Sequence, residues 1–275
     1  MKVLVTGADG QLGYQIKKVF KNHELVLTDK INMDITDIDS VISFLLEEKP
    51  KAIIHGAAYT NVDLAELEPE IAYKVNAQGT RNICVASEKV GAKLVYISTD
   101  YVFDGEKNSH YQEIDRTNPQ SIYGKSKLAG ELFVQSLTNK FFIMRTSWLY
   151  GENGKNFVDA ILKKAETGDE LKVVNDQFGS PTYTKDLAEV ILQLIETEKY
   201  GIYHASGEGK ITWYDFAKEI LKLKNYKNHI CPISTEEIGR PAPRPKYSVL
   251  DNLNLRIENI FMPSWKESLR QFLTK

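Results

Sequence analysis

An apolar run, KVLV (2–5), breaks at TGADGQLG and continues into LGYQIKKVF, whose apolar residues recur at helical spacing. Gly7, Gly10 and Gly13 therefore fall as G-x-x-G-x-x-G on a strand-to-helix junction. No other feature restricts the fold of this chain so strongly. Glycine at such a junction permits a tight turn, lets backbone approach a pyrophosphate, and lets the helix pack close to its strand. The pyrophosphate would rest on the positive helix N-terminus, against Gln11 and Leu12. The spacing is one residue looser than the dinucleotide fingerprint G-x-G-x-x-G, but the physical requirement is similar. Asp29 ends the second apolar run, about twenty residues on, where an acidic residue hydrogen-bonds a ribose 2′-hydroxyl. It favours NAD, because a 2′-phosphate would be repelled, although Lys30 beside it would tolerate NADP; a turn or helix cap is its other reading. Asp34 and Ile35, in MDITD, form a second polar step on which an adenine could rest.

The rhythm begun at that junction continues. Short β-branched runs, ELVL (24–27), AIIHGAA (52–58), KLVYIS (93–98) and FFIMRTSW (141–148), alternate with helical segments such as DSVISFLLEE and IAYKVNAQGTRNICVASEKV. That alternation predicts an α/β fold of Rossmann type, a doubly wound parallel sheet covered on both faces. Beyond Trp148 the alternation loosens. NFVDAILKKAETG, DLAEVILQLIE, TWYDFAKEILKLK and PSWKESLRQFLTK read as helices, LKVVND and GIYHAS as strands, and GRPAPRPKYSVLD (239–251) as extended or loop. Thr212 is placed to cap its helix, with Asp215 at the third helical position. The expected division is a dinucleotide-binding domain of 1–149 and 176–203 with a smaller C-terminal α/β substrate lobe of 150–175 and 204–275.

Charge and cysteine content narrow the function classes. With 35 basic against 37 acidic residues the net charge is −2, which gives no electrostatic case for nucleic acid or an anionic membrane as partner. Two cysteines, Cys84 and Cys231, build neither a disulfide framework nor a zinc site, and the five histidines form no HExxH-like cluster. The opening MKVLVTG reads as a first strand and not as a leader, and no stretch reads as a membrane span. A cytoplasmic protein is the expectation.

PQSIYGKSKLAGELFV holds Tyr123 and Lys127 four apart, on one face of a helix. A phenol with an ordinary pKa of about 10 is too weak an acid–base group for neutral pH. A nearby ammonium stabilises phenolate and lowers that value. Such a pair can pass a proton to or from a substrate oxygen while a cofactor exchanges hydride with the carbon. Alone, YxxxK reads as an ordinary solvated helix face; downstream of a glycine-rich cofactor turn it is far more specific.

Together, TGxxGxxG, the AAY step, STDYVFDG and YGKSK resemble the extended short-chain dehydrogenase/reductase superfamily. GAAYTNVDLAE (56–66), YKVNAQGTRN (73–82), RTSWLYG (145–151), NDQFGSPT (175–182) and RPKYSVLD (244–251) narrow the resemblance, nearly end to end, to the dTDP-4-dehydrorhamnose reductase family. That resemblance implies reduction of a 4-keto sugar nucleotide with NADH or NADPH. Thr99 would hold the C4 carbonyl oxygen, Tyr123 would deliver the proton, and Lys127 would hold the nicotinamide ribose. Asn76 matches a helix asparagine of the superfamily, or is a buried polar residue satisfied by backbone. Ala57, Ala58 and Tyr59 match the step beneath the cofactor. Asp100 and Trp148 match sugar-nucleotide contacts, Trp148 having core packing as its other reading. Arg244 matches a partner for a substrate phosphate or is a solvated linker residue. Gln177, Gly179 and Thr182 match a pocket-shaping loop. His55 and Gly56 depart from the family, which often has Asn and Cys or Ala there. Some members use magnesium through interface glutamates; no residue here is matched to that role, so a metal and a homodimer both stay open. Two rival readings stay open as well. One is an epimerase or 4,6-dehydratase on the same scaffold, against which Asp100-Tyr101 replaces the Asp-Glu pair that elimination needs. The other is a non-catalytic regulatory subunit of a methionine adenosyltransferase, a role held by a relative that retains YxxxK.

Overall fold

Val3 and Val5 pack with Ile16, Phe20 and Leu187 on one side of the first strand, while Leu4 packs with Val41, Leu45 and Ile83 on the other. Successive side chains of a strand point to opposite faces, so an all-apolar run needs cover on both sides. The computed structural model describes residues 1–168 and 170–274; Asp169 and Lys275, the last residue of the expected final helix, lie outside the described residues.

The first half of the chain runs β1 (Lys2–Thr6), α1 (Gln11–Val19), β2 (Glu24–Thr28), α2 (Ile38–Glu48), β3 (Ala52–His55), α3 (Val62–Leu67), α4 (Pro69–Tyr73), a π-helical turn (Lys74–Gly79), α5 (Thr80–Val90), β4 (Lys93–Thr99), α6 (Ile122–Leu137) and β5 (Phe141–Thr146). The second half runs β6 (Leu149–Tyr150), α7 (Phe157–Thr167), β7 (Leu171–Val174), β8 (Phe178–Gly179), β9 (Thr182–Tyr183), α8 (Thr184–Ile195) and β10 (Gly201–His204). It ends with β11 (Ile211–Thr212), α9 (Trp213–Leu223), β12 (Ile230–Ile233), α10 (Thr235–Ile238), α11 (Leu253–Ile257) and α12 (Trp265–Leu273). Six strands form one parallel sheet in the order β10-β5-β4-β3-β1-β2. The strand order reverses at β1, between β2 and β3. In doubly wound sheets the crevice beyond the carboxyl ends of the strands at such a point is where ligands bind.

The sheet is the one the alternation predicts, with three local differences. β3 stops at His55 instead of running to residue 58, because the chain turns out of the sheet once the Gly56 N–H has bonded the Thr6 carbonyl at 3.2 Å. β5 stops at Thr146, short of the expected 148, and Trp148 takes a left-handed φ of 48°. The helix expected to run unbroken through residues 71–90 is interrupted by the π-helical turn. There Gly79 accepts the side chain of Ile35, and Asn76 is turned toward the loop after β3. Such turns inside helices recur at functional sites.

The C-terminal part has a hydrophobic cluster of its own, with Tyr150, Val158, Ile161, Leu171, Phe216 and Leu269 among its members. Parallel β7 and β12 border it. Thr212 caps α9 by accepting the Asp215 N–H at 3.0 Å and donating to its carboxylate at 2.9 Å, the arrangement expected from the sequence. We propose the two-lobe division at the boundaries stated above. β10 in the main sheet supports it, although Leu255, Ile260 and Met262 pack into the main core from the C-terminal side. Among the described residues, no helix is long and apolar enough to cross a membrane.

Candidate active site

A cleft of about 470 Å³ opens over the carboxyl ends of the central strands. Its floor is the glycine turn. Gly7 has φ 69°, and a Cβ there would lie 2.9 Å from the Ala57 nitrogen, so neither the conformation nor the space admits a side chain. At Gly13 a Cβ would fall 2.5 Å from the Ala8 carbonyl, which is how closely α1 packs on the turn. No side chain caps α1, and Gly10, Gln11, Leu12 and Gly13 line the cleft. The first N–H groups of the helix and its positive dipole end are thus left for an anion.

Beneath this floor runs a directed chain of hydrogen bonds. Thr80 donates its hydroxyl to the Asn76 carbonyl at 2.7 Å, so it accepts from His55 Nε2 at 3.1 Å. The proton on Nε2 leaves Nδ1 bare, to accept from the Thr6 hydroxyl at 2.8 Å; Thr6 in turn accepts the Ala57 N–H at 3.1 Å. Burial pushes the His55 pKa down to about 3, with the charge of Lys127 adding to the effect, so the ring is neutral. Asn76 completes the support. Its Oδ1 accepts the Tyr59 N–H at 2.7 Å, and its Nδ2 donates to the Tyr59 carbonyl at 3.1 Å and to Ser126 at 3.0 Å. Ser126 donates to the Tyr123 carbonyl at 2.9 Å. Asn76 is therefore satisfied by backbone and does not line the cleft. It ties the Ala57–Tyr59 step to the first turn of α6. Ala58 lines the cleft directly, whereas Ala57 and Tyr59 form the backbone behind it.

Opposite the glycine turn stand Thr99, Asp100, Tyr123 and Lys127. Ser121 caps α6 by accepting the Gly124 N–H, which fixes the register placing Tyr123 and Lys127 on the cleft face. Thr99 ends β4, donates to Asp100 Oδ1 at 3.0 Å and accepts the Tyr101 N–H at 3.2 Å. The Asp100 carboxyl is buried, and burial pushes it up to about 6 against the lowering by Ser248 and Thr99. Lys127 Nζ donates to the Ile97 carbonyl at 2.7 Å and lies 4.0 Å from the centre of the Tyr96 ring. Burial lowers Lys127 to about 7, partly countered by the Glu131 carboxylate one turn on. Glu131 is itself buried in a forked pair with Arg145, at 3.0 and 2.7 Å. Where the sequence suggests that Lys127 pulls the phenol down, burial dominates: Tyr123 is pushed up to about 12, against a lowering by Thr99. The phenol is neutral and protonated at physiological pH.

Trp148 also lines the cleft. Its left-handed backbone lays the indole flat on Trp213, with ring centroids 3.5 Å apart, and a Cβ at Gly179 would strike that indole at 2.3 Å. A bulky residue at positive φ is uncommon, and the stack is what holds it there. Thr182 pairs with Leu149 beside it and accepts the Gly207 N–H, and Gln177 donates to Thr235 at 2.9 Å. A second cavity of about 400 Å³, with Lys164, Lys172, Gln177, Arg240 and Arg244 in its wall, meets the first at Tyr101 and Trp213. Arg244 belongs to this second cavity, not to the first.

The remaining candidates lie apart. Asp29 accepts the N–H groups of Ile31 and Asn32 with Oδ1, and Asp34 accepts both N–H and hydroxyl of Thr36, so each closes its own turn. Ile35 is buried against Gly79, and its carbonyl accepts from Asn82. Among the described residues, no group of three or more His, Cys, Asp or Glu is placed to hold a metal ion. Sequence reading missed Thr146 and Trp213. Thr146 pairs in register with Thr99 across β5 and β4 and lines the cleft with its hydroxyl unbonded. Its signal was the RTSW segment that ends a central strand; Trp213 reads only as the start of an amphipathic helix.

The whole chain, residues 1–275, matches the family model described as RmlD substrate binding domain. It is 43% identical to the spore coat polysaccharide biosynthesis protein SpsK of Bacillus subtilis, over 99% of this chain and 96% of that one. It is 41% identical to a dTDP-4-dehydrorhamnose reductase of Aggregatibacter actinomycetemcomitans, over 98% and 97% of the two chains. The crystal structure of dTDP-4-dehydrorhamnose reductase from Bacillus anthracis in complex with NADP superposes with a TM-score of 0.97 at 48% identity, covering 99% and 98%.

Proposed function

This chain belongs to the dTDP-4-dehydrorhamnose reductase family, and from that premise we propose that it reduces the 4-keto group of dTDP-4-dehydro-L-rhamnose to dTDP-L-rhamnose with NADPH or NADH. The observation that carries this reading is the meeting of Thr99, Tyr123 and Lys127 in one cleft with the uncapped helix of the glycine turn. That helix end and the side-chain-free approach at Gly7 fit a dinucleotide pyrophosphate. When bound, the reduced nicotinamide supplies the hydride to C4.

The chain's own residues supply the rest. Thr99 turns its hydroxyl from Asp100 to the ketone oxygen and orients it. Tyr123, protonated because it is buried, gives its proton to that oxygen as the alcohol forms. The phenolate left behind sits one helical turn from Lys127. Held at about 7, Lys127 is matched to neutral pH and can stabilise that charge and return a proton. The nucleoside diphosphate extends past Tyr101 into the second cavity, where Arg240, Arg244 and the lysines offer charge-assisted bonds to its phosphates. The sugar lies against the Trp148–Trp213 stack.

Cofactor choice turns on Asp29. With Oδ1 committed to its own turn and Lys30 exposed beside it, the chain accepts a 2′-phosphate as well as a 2′-hydroxyl, in keeping with the NADP bound by the Bacillus anthracis relative. Tyr101, where elimination needs a glutamate, speaks against a dehydratase. Near end-to-end similarity to dTDP-4-dehydrorhamnose reductases speaks for the reductase over a purely regulatory subunit. The test is a steady-state assay of the purified chain with the 4-keto sugar nucleotide and each reduced cofactor. Carbonyl-dependent loss of cofactor absorbance is expected with both; its absence with both would refute the assignment.

A further inference from the structure

Asp63, the second residue of α3, gathers three donors from a segment some 180 residues away in sequence. Its Oδ1 is 2.8 Å from an Arg244 terminal nitrogen, its Oδ2 is 3.4 Å from Arg240, and the Ala242 N–H points at Oδ1 from 3.3 Å. All three come from the proline-rich strap that borders the second cavity. The preceding residue, Val62, lines the first cavity. One carboxylate on the dinucleotide side of the molecule thus fastens the strap that carries both arginines. It does so beside Tyr101, whose ring lies 5.9 Å from the Arg244 guanidinium.

Arg244 is nearly buried, its side chain 9% exposed; besides its ion pair with Asp63 it donates to the Ala242 carbonyl at 3.3 Å. A guanidinium has five N–H donors in a fixed fork. Anchoring one edge on Asp63 and Ala242 fixes the plane of the fork and leaves its remaining donors for an anion in the cavity. We propose that Asp63 is a positioning residue for sugar-nucleotide binding, holding Arg244 in the orientation that receives the diphosphate. The inference rests on the reading of Arg244 as a phosphate ligand given above.

Pre-organisation of this kind acts on binding and leaves the chemical step alone. The test is a double-mutant cycle on the full chain: wild type, Asp63→Asn, Arg244→Gln and the double variant. The quantities measured are the Kd for dTDP by calorimetry, KM and kcat for the 4-keto sugar nucleotide, and the Kd for the dinucleotide. Asp63→Asn is expected to raise the dTDP Kd and the sugar-nucleotide KM about tenfold, with kcat and dinucleotide affinity unchanged. Added to Arg244→Gln, it should cost nothing more, because its effect passes through that arginine. Unchanged or tighter dTDP binding in Asp63→Asn would overturn the proposal, since the carboxylate would then be a bystander or a competitor for the arginine. Fully additive losses would overturn it as well. A wild-type chain that binds dTDP without reducing the sugar nucleotide would instead count against the reductase reading.

Discussion

Burial holds the Asp100 carboxyl at about 6, above its ordinary value of 3.8. A carboxyl whose pKa is higher in the folded chain than in the unfolded one destabilises the fold wherever it must ionise. The cost is absent below the unfolded value, grows as pH rises toward 6, and is complete above it, at about 3 kcal/mol or less. Asp100→Asn removes that cost. The variant is expected to be more stable than the parent in urea at pH 7.5, with the gap closing as pH falls toward 4, while reduction of the sugar nucleotide drops sharply. Equal stability at pH 7.5 would show that the carboxylate is better solvated than its burial implies. Tyr123→Phe is the complementary case: it deletes the proposed proton donor and little packing, so kcat should fall by at least about a hundredfold with dinucleotide affinity preserved. Normal turnover would remove Tyr123 from the role. At this scale the sequence was most legible where spacing fixes geometry, as with Tyr123 and Lys127 on one helix face. It was least legible for protonation, because the sequence announces neither the burial that raises the phenol nor the hydroxyl of Thr99 turned toward Asp100.

Among the elements, the end of β3 and the π-helical turn do together what neither does alone. The Thr6–His55–Thr80 chain and the Asn76 clamp hold the Ala57–Tyr59 step under the glycine turn. His55→Leu would strip the buried Thr6 hydroxyl of its acceptor and the buried Thr80 hydroxyl of the donor it accepts from, at a cost of about 2 kcal/mol. The dinucleotide Kd is expected to rise roughly fivefold to tenfold as the step loosens. Nitrogen NMR of the wild-type ring should find the Nε2–H tautomer with no titration between about pH 5 and 8. A ring that titrates near 6.5, or a variant that binds dinucleotide as tightly as the parent, would show that the chain of hydrogen bonds does not support the site. His55 entered the sequence analysis only as a departure from its relatives, since its partners lie 49 and 25 residues away. The π-helical turn was hidden for a similar reason. Its residues keep helical spacing, and only tertiary contacts from Ile35 and Tyr59 open the turn.

The whole molecule joins a parallel sheet, read in outline from its strand–helix alternation, to a C-terminal lobe that the sequence left loose. Short strands such as β8 and β11 pair only because distant segments meet, so no local periodicity marks them. The two cavities join at Tyr101 and Trp213, one residue from each part, so the proposed hydride-transfer and diphosphate sites form one continuous space. An epimerase on this scaffold would return the hydride it removes, whereas the reductase account requires hydride from outside. The decisive measurement is mass spectrometry of the sugar nucleotide after turnover with NADPH or NADH carrying deuterium at the transferable position of nicotinamide C4. The account predicts dTDP-L-rhamnose with one deuterium at C4 of the sugar and a stoichiometric amount of oxidised cofactor. A product without deuterium, or an unreduced sugar recovered with its cofactor unspent, would contradict it.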